Sequence, residues 1–392
     1  MRRALELAGR ARGQTSPNPM VGAVVVNNGR MVGEGYHHRA GESHAEVLAL
    51  QMAGEAAREA ELYVTLEPCV HYGRTPPCLD AVLRAGVRRV VVAMTDPDPR
   101  VQGRGLAGLR RAGIAVTEGV MEREARRLNA AYITYQTKLR PHVVWKAALT
   151  MDGKTATKAG LSRWITGEPA RELVHQMRSE ADAIMVGAGT VLADNPELTA
   201  RLPGKNVADI RQPVRIIIDS HLRSPLSARC FSPELPGRTI IAAVEEAPPA
   251  KVAAFEERHI SVWQGPADKS GRVDLALFLS HLAQLEITNI LLEGGATLAG
   301  SMFDRQLIDE CRLFFAPLFF GGGGAIPALA GLGVEQPAEA PRLVDPESRW
   351  VGRDLLISGL VAYQSFPAQP GGESNSADSP NCSRCQAPEG GD

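Results

Sequence analysis

The sequence predicts an α/β protein with two domains. Its 392 residues exceed one ordinary domain of about 100–200 residues. Segments typical of strands and helices alternate along almost the whole chain, which favours mostly parallel sheets with helices on both faces. Arg140-Pro141 separates a long helical segment from a new strand, so we place the domain boundary there. The expected domains are residues 1–140 and 141–366.

In the first domain, a short amphipathic helix opens the chain, and apolar runs then alternate with segments of helical spacing. The first apolar run ends at the turn signal Asn28-Gly29, and Gly86 ends a helix. The predicted strands are 20–26, 61–66, 87–94 and 114–120, and the further predicted helices are 44–57, 79–86, 105–113 and 121–138.

The second domain continues the alternation. Its predicted strands are 142–149, 181–190, 214–220, 239–244, 287–295 and 313–324, with a helix at 168–179. Residues 367–392 are rich in Pro, Gly and Ser and too poor in apolar side chains to offset the entropy of ordering, so they predict a disordered tail. The tail contains Cys382 and Cys385. Two cysteines are too few ligands for a zinc site, so we interpret this pair as incidental.

The composition excludes several classes of protein. Lys and Arg total 43 and Asp and Glu 44, so the net charge of −1 gives no support for a nucleic-acid or anionic-membrane binder. No apolar run approaches the ~18 residues of a membrane span, and the charged N-terminus does not look like a signal peptide. Six cysteines are too sparse for a disulfide scaffold. A cytoplasmic protein is expected.

The sharpest cluster of candidate functional residues is His44, Cys69 and Cys78, with Glu46 nearby. Imidazole and thiolate suit Zn²⁺, and three such ligands leave a fourth tetrahedral position for water. Water at this position acidifies towards a pKa of about 7. Glu46 is placed to carry protons without binding the metal, as in the zinc deaminases whose H-x-E…P-C…C pattern these residues match. This requires His44 to lie at a helix start, because residues two apart point to different faces.

Two other interpretations stay open at this point. A nucleic-acid deaminase would share the zinc ligands but would need a basic groove, which the near-zero charge does not favour. A structural zinc site in a binding module would normally have four protein ligands, and His71 is available as the fourth.

The segment between the two cysteines, PCVHYGRTPPC at 68–78, is far more specific than the ligands alone. Together with residues 16–26, 35–46 and 96–105, it resembles the family of bifunctional riboflavin-biosynthesis deaminase/reductases. The resemblance implies a cytidine-deaminase-like α/β/α fold for the first domain. It also implies a 5′-phosphorylated ribosylaminopyrimidine as the substrate.

The residues that this resemblance assigns to the substrate are Asn18, His71, Arg74 and Thr75. Asn18 would hold the pyrimidine through its amide, and Arg74 suits bidentate contacts to phosphate. In the family, position 70 is often a small hydroxyl residue and position 98 an asparagine, whereas this chain has Val70 and Asp98. These departures concern substrate contacts and leave the ligands and the proton carrier in place.

Residues 141–366 contain no G-x-G-x-x-G, so the Rossmann fingerprint is absent. Instead, small residues follow strands in three segments, 149–156, 186–201 and 291–301. In the third, Glu293 ends a strand and Gly294-Gly295 opens a helix, where backbone N–H groups can meet a phosphate. Taken alone, each segment is also explained as an ordinary turn, because glycines are common after parallel strands.

These segments resemble the reductase half of the same family, which implies a dihydrofolate-reductase-like α/β fold and NADPH as cofactor. The implied NADPH contacts are Ala148, Trp164, Thr190, Asp194, Ser220, Gly295, Ala296, Thr297, Leu298, Ala299, Gly300 and Ser301. The implied substrate contacts are Ser162, Leu198, Arg201 and Glu293, and Lys146 is a further candidate from its position. Arg201 suits a phosphate clamp, whereas Lys146 and Asp194 could instead form a structural ion pair.

The expectation is therefore one chain with two consecutive activities. The first domain would use zinc to deaminate 2,5-diamino-6-ribosylamino-4(3H)-pyrimidinone 5′-phosphate. The second would use NADPH to reduce the ribosyl group of 5-amino-6-(5-phosphoribosylamino)uracil to ribityl. The expected partners are these small molecules and, by resemblance, further copies of the chain, but no nucleic acid or membrane.

Overall fold

A computed structural model describes residues 1–72 and 76–363. It confirms the predicted α/β class, with one large sheet in each half of the chain. None of the helices within these two ranges is long and apolar enough to cross a membrane. The predicted tail at 367–392 lies outside the described residues.

The first sheet has five strands in the order β2-β1-β3-β4-β5, antiparallel at β2-β1-β3 and parallel at β3-β4-β5. Its strands are β1 (Gly22–Asn27), β2 (Arg30–Tyr36), β3 (Glu61–Val64), β4 (Arg89–Val92) and β5 (Ala115–Thr117). The helices are α1 (Arg2–Gly9), α2 (Ala45–Ala53), α3 (Cys78–Ala85), α4 (Arg104–Arg111), α5 (Glu122–Leu128) and α6 (Ala130–Lys138).

Close packing of α2 on β2 fixes the start of α2, where the candidate ligand His44 lies. A Cβ at Gly33 would lie 2.2 Å from the Ala49 carbonyl oxygen, and one at Gly35 would lie 2.7 Å from the Leu48 Cβ. Both distances are shorter than van der Waals contact, so these two strand positions require glycine.

The second sheet has nine strands in the order β11-β10-β9-β8-β12-β6-β13-β16-β15, parallel from β11 to β13 and antiparallel at β16 and β15. Its strands are β6 (His142–Thr150), β8 (Ala183–Gly187), β9 (Val214–Ile218), β10 (Thr239–Val244), β11 (Ser261–Gly265), β12 (Asn289–Leu292), β13 (Glu310–Ala316), β15 (Arg342–Val351) and β16 (Asp354–Ala362). Its helices are α7 (Glu168–Glu180), α8 (Ala188–Asp194), α9 (Pro249–Glu256), α10 (Leu275–Gln284) and α11 (Ala296–Asp304). A two-stranded sheet pairs β7 (Lys154–Ala156) with β14 (Ile326–Pro327).

Several elements differ from the sequence prediction. The predicted helix 121–138 is interrupted at Asn129, whose side chain accepts from Met20 N (2.8 Å) and donates to Met20 O (2.9 Å). The predicted strand 313–324 instead begins at Glu310 and ends at Ala316. The predicted strand 181–190 ends at Gly187, where α8 begins.

One buried carboxylate, Asp309, joins the two halves of the chain. It accepts from both terminal nitrogens of Arg140 (2.6 and 2.8 Å), from Lys138 Nζ (2.9 Å) and from the Val143 backbone N–H (3.0 Å). The end of α6 and the start of β6 are therefore held by one group. Although burial opposes ionisation, the bonds from Arg140 and the nearby His142 and Arg140 charges lower the pKa of Asp309 to about 2.

Replacing Asp309 with Asn is expected to destabilise the protein by about 3 kcal/mol, because it leaves Arg140 buried without its counter-charge. All four tryptophans lie after residue 141, in the second predicted domain, so their fluorescence during urea unfolding measures that domain directly. The matched control is Asp345→Asn. Asp345 pairs with Arg123 across the same interface at 3.4 Å but is 54% exposed, so less than about 1 kcal/mol should be lost.

The same carboxylate predicts an acid limit of stability. Because its pKa is lower in the folded protein than the usual 3.8, its contribution is present above about pH 4 and is lost as the pH falls towards 2. Asp309→Asn should flatten the fall of the unfolding midpoint in this window. An unchanged slope, or equal losses in the Asp309→Asn and Asp345→Asn variants, would contradict the role given to Asp309.

Candidate active sites

The three predicted metal ligands come together in the first domain. His44 lies just before α2 with extended backbone (φ −75°, ψ 159°), as the sequence argument required, and Cys78 is the first residue of α3. His44 Nδ1 lies 3.0 Å from Cys78 Sγ and 3.6 Å from Cys69 Sγ, and the three donor atoms lie within 4.8 Å of one another. Zinc bonds of about 2.0 Å to nitrogen and 2.3 Å to sulfur call for such spacing, so the donor set fits Zn²⁺.

The electrostatics of the cluster favour a bound cation. A hydrogen bond from the Cys78 thiol, together with His44, lowers the pKa of Cys69 to about 4 against the effect of burial. The Cys78 backbone N–H also donates to Cys69 Sγ at 3.3 Å. Thiolate is the form that binds metal, and the N-terminus of α3 supports negative charge there.

Glu46 lies in the first turn of α2, beside the cluster, and is only 3% exposed. Burial, and then the nearby Cys69, raise the pKa of its carboxyl to about 7. A carboxyl that exchanges its proton near neutral pH suits general acid–base work. Three candidate donor residues converge here among the described residues, and Glu46 lies beside them.

A cavity of about 400 Å³ opens above this cluster, and Asn18 lies in its wall. The Asn18 Nδ2 atom is 3.1 Å from His37 Nε2, and His37 Nδ1 is 3.2 Å from the Ser43 carbonyl oxygen. Because that carbonyl only accepts, Nδ1 carries the ring proton and Nε2 accepts from the Asn18 amide. The Asn18 side-chain oxygen accepts no hydrogen bond within residues 1–72 and 76–363, so it is available to a hydrogen-bond donor in the cavity. The sequence reasoning missed His37, although it lies in the segment 35–46 that carried the resemblance.

The lining of the cavity also contains Asp96, Asp98 and Arg100. Burial raises the pKa of Asp96 to about 6, and the Tyr132 hydroxyl donates to it at 2.9 Å. Asp98, where the family often has asparagine, accepts from Arg100 Nε at 3.0 Å and Nη2 at 2.6 Å. The extra negative charge of this departure is therefore balanced within the wall.

Buried Glu67 fixes the loop that carries this wall. Its carboxylate accepts from the backbone N–H groups of Asp96 (3.2 Å), Gly103 (3.0 Å), Gly105 (2.8 Å) and Leu106 (3.2 Å). Four donors to one carboxylate leave the loop little freedom. His71 also lines the cavity, whereas the predicted substrate residues Arg74 and Thr75 lie outside the described residues.

The second half of the chain completes the same cavity. Glu286 lies in its wall beside Tyr135 and Gln136 of α6. The Tyr135 hydroxyl donates to the Ala283 carbonyl at 3.3 Å. The deaminase-like pocket therefore includes surface from both predicted domains.

In the second domain, Lys146 and Glu293, both predicted to contact the substrate, lie close together. Glu293 accepts from Arg178 Nε (2.7 Å) and Nη2 (3.0 Å), and Lys146 Nζ lies 3.6 Å from Glu293 Oε2. Against the effect of burial, the charges of Arg178 and Lys146 lower the pKa of Glu293 to about 2. Burial in turn lowers the pKa of Lys146. Sequence reasoning missed Arg178, which lies on α7 with no motif around it.

Several predicted NADPH contacts lie around one cleft. Thr190 Oγ1 accepts from the Gly295 backbone N–H at 3.2 Å, which ties α8 to the start of α11. A cavity of about 560 Å³ is lined by Ser220, Thr297, Leu298 and Ser301, among others.

Other predicted contacts lie farther from this lining. Three of them, Ala296, Ala299 and Gly300, are buried residues of α11. Ala148 is half-buried on β6. Trp164 is 69% exposed, with the Arg171 guanidinium 4.6 Å from the centre of its ring.

Asp194, which the sequence offered as a possible ion-pair partner of Lys146, instead accepts from Ser162 Oγ at 3.1 Å. Leu198 is buried with a positive φ of 58°, close in sequence to Arg201. The Arg201 side chain is 49% exposed and pairs with Glu197 at 2.5 Å, while its backbone N–H donates to His175 Nδ1 at 3.2 Å. His175 was also missed by the sequence reasoning.

Comparison with known families matches both halves of the chain. Residues 1–94 match the cytidine and deoxycytidylate deaminase zinc-binding region, and residues 141–357 match the RibD C-terminal domain. With the geometry above, these matches define a bifunctional enzyme in which a zinc-dependent deaminase is joined to an NADPH-dependent reductase.

Full-length relatives narrow this class. The riboflavin biosynthesis protein RibD of Aquifex aeolicus is 43% identical over 91% of this chain and 96% of its own length, and that of Escherichia coli is 42% identical over 91% and 97%. Acinetobacter baumannii RibD is a structural match with a TM-score of 0.79 and 35% identity, covering 92% of this chain and 97% of that one. The deaminase/reductase of Thermotoga maritima matches with a TM-score of 0.77 and 37% identity over the same shares.

The chain therefore belongs to the family of the riboflavin biosynthesis protein RibD. The deaminase and reductase activities in riboflavin biosynthesis expected from the sequence are confirmed, as are zinc and NADPH as cofactors. The family supports neither of the alternatives left open above, a nucleic-acid deaminase or a binding module.

Replacing Glu46 with Gln should lower deaminase turnover by about 10²–10⁴-fold, because a proton-carrying carboxyl becomes an amide of equal size. Zinc content, measured by elemental analysis, should stay at the wild-type level. Replacing Cys69 with Ser should lower both zinc content and deaminase activity. Reductase activity with the deaminated substrate serves as the internal control for both variants.

The matched control for Glu46 is Glu42→Gln, an exposed carboxylate shortly before His44 that faces His38 at 3.7 Å. It should leave zinc content and both activities unchanged. Retained deaminase activity in the Glu46→Gln variant would contradict the role proposed for Glu46.

Replacing Arg178 with Ala should reduce reductase kcat/KM at least about 100-fold, because Glu293 keeps one cationic neighbour and loses its bidentate partner. Arg178→Lys retains the positive charge but not the two-point contact of the guanidinium with the carboxylate. Its reductase kcat/KM should therefore lie between those of the wild type and Arg178→Ala. The control is Gln176→Ala, which removes an exposed hydrogen bond to Glu180 on the same helix. Thermal unfolding shows whether each variant is folded; a folded Arg178→Ala enzyme with full activity would refute the positioning role.

Proposed function

We propose that the first activity uses His44, Cys69 and Cys78 as zinc ligands and Glu46 as the proton carrier, on 2,5-diamino-6-ribosylamino-4(3H)-pyrimidinone 5′-phosphate. The observation that carries this proposal is the buried Glu46 carboxyl beside three converging donor atoms at the floor of the cavity. Zinc, when bound, supplies the Lewis acidity that lowers the pKa of water into the neutral range.

The side chains around the cavity transfer protons and bind the substrate. Glu46 accepts the proton of the attacking water and returns it to the departing amino group, so that ammonia leaves. Asn18, oriented by His37, presents its amide oxygen to a ring N–H or amino group of the pyrimidine. His71, Arg74 and Thr75 bind the ribose phosphate side. The support for His71 is its place in the cavity wall and its buried Nδ1, which has no partner among the described residues.

For the second activity we propose that NADPH lies in the cleft between α8, α11 and the end of β9. The cofactor, when bound, would supply the hydride that reduces C1′, so that the ribosyl group becomes a ribityl group. Arg178 holds Glu293 as a fixed anion, and Lys146 donates to an oxygen of the opened ribose. Ser162, Leu198 and Arg201 form the rest of the substrate site, and Arg201 is suited to its phosphate.

We also propose that the deaminase and reductase domains comprise residues 1–140 and 141–366. In support, α6 ends at Lys138 and β6 begins at His142. The expected homo-oligomer and cytoplasmic location stay predictions.

A coupled assay tests both proposals. Zinc-loaded full-length protein is given the diaminopyrimidine ribotide with and without NADPH, while ammonia and the nicotinamide absorbance are followed. Ammonia should appear under both conditions, and NADPH oxidation should begin only after ammonia is released. Failure to oxidise NADPH even when the deaminated substrate is supplied directly would overturn the second assignment and leave the first unaffected.

A further inference from the structure

One end of the reductase cleft has cationic side chains that the functions above do not use. The 560 Å³ cavity extends from Thr297 and Ser301 of α11 to the loop 219–224, after β9, and to the turn 266–273. At this end it is lined by His221 and Arg223 from the loop and by Ser270 and Arg272 from the turn.

The loop and the turn are fixed to each other through Ser220. The Val273 backbone N–H donates to Ser220 Oγ at 3.0 Å, and the Val244 backbone N–H donates to the Ser220 carbonyl at 3.1 Å. Within the loop, the Ser224 backbone N–H donates to Asp219 Oδ2 at 2.7 Å. Because Ser220 Oγ already accepts one bond, its hydroxyl hydrogen is available for an acceptor in the cavity, such as a phosphate oxygen.

Of the two acidic residues at this end, Asp268 has partners on both oxygens, whereas Oδ1 of the buried Asp219 has no hydrogen-bond partner among the described residues. Asp268 Oδ1 accepts from Ser270 N (2.8 Å), Ser270 Oγ (2.6 Å) and Arg272 N (3.1 Å), and the other oxygen pairs with Arg305. These bonds hold the turn in the shape that carries Arg272 to the cavity wall.

The guanidinium groups of Arg223 and Arg272 make few contacts with these carboxylates. Arg223 is 62% exposed and approaches Asp219 only at 3.9 Å, and the Arg272 side chain forms no ion pair within the part of the chain that the structure describes. With Arg305, three guanidiniums face the two carboxylates of Asp219 and Asp268. The surplus positive charge suits a phosphate group, for which arginine supplies bidentate donors.

We propose that Arg223 and Arg272 bind the 2′-phosphate of NADPH and thereby make the reductase select NADPH over NADH. This inference rests on the proposed placement of NADPH in this cleft. The N-terminal end of α11, with Thr297 and Leu298 in the cavity lining, would face the pyrophosphate, which both cofactors share. In this placement the adenosine half would extend towards the two arginines. NADPH and NADH differ there by one phosphate only.

The test measures cofactor binding to the full-length, zinc-loaded protein. Dissociation constants for NADPH and for NADH are determined by titration calorimetry for the wild type, Arg223→Ala, Arg272→Ala and the double variant. Each single substitution should weaken NADPH binding about tenfold and the double substitution about 100-fold, with NADH binding changed less than about twofold. Deaminase activity should be unchanged in all of them.

The matched control is Lys269→Ala, which removes an exposed cation from the same turn but does not line the cavity. It should leave both dissociation constants unchanged. Equal weakening of NADPH and NADH would overturn the proposal in favour of a pyrophosphate contact, and unchanged NADPH binding in the double variant would overturn it outright. A wild-type protein that binds neither cofactor would instead refute the placement of NADPH in the cleft, and with it this inference.

Discussion

The charge pairing at Asp309 is the constraint on which both active sites depend. Its carboxylate holds Lys138 and Arg140, which follow the α6 residues that line the deaminase cavity, and also the backbone at Val143, where β6 begins. Three residues farther along β6 is Lys146, which faces Glu293. One carboxylate is therefore bonded to the two elements, α6 and β6, that carry residues of both candidate sites. The cost of burying this charge is offset because both oxygens of the group have partners.

A second junction ties the chain's beginning to its second half. Asp182 Oδ2 accepts from the backbone N–H groups of Thr288 (2.9 Å) and Asn289 (3.1 Å) and from the Thr288 hydroxyl (2.8 Å), and the Thr288 hydroxyl lies 3.3 Å from Ser16 Oγ. Ser16 is two residues before Asn18 in the deaminase cavity. The second half of the chain therefore supports the part of the cavity wall that contains Asn18, and the presence of Glu286 in the same cavity agrees with this.

The sequence predicted site residues where a chemical motif is formed by residues close together in the chain. The ligand spacing predicted that His44, Cys69 and Cys78 would converge, and their donor atoms do lie together, with the extended backbone at His44 that the argument required. It missed residues whose role comes from long-range contacts. Arg178 is an ordinary arginine on a helix until β12 places Glu293 beside it, and His37 gains meaning only from Ser43 and Asn18. The break at Asn129 was missed for the same reason, because its partner is Met20, 109 residues away.

The two catalytic halves use the same residue type, glutamate, in opposite electrostatic settings. Glu46 and Glu293 are both buried, so desolvation alone would raise the pKa of each. At Glu46 the thiolate side of the cluster adds to that effect, and the pKa reaches about 7. At Glu293 two cations outweigh it, and the pKa falls to about 2. The carboxyl of Glu46 therefore changes its protonation state in the neutral range, whereas Glu293 remains an anion there and accepts from Arg178. The difference in neighbouring charge, and not in burial, separates the protonation behaviour of these two glutamates.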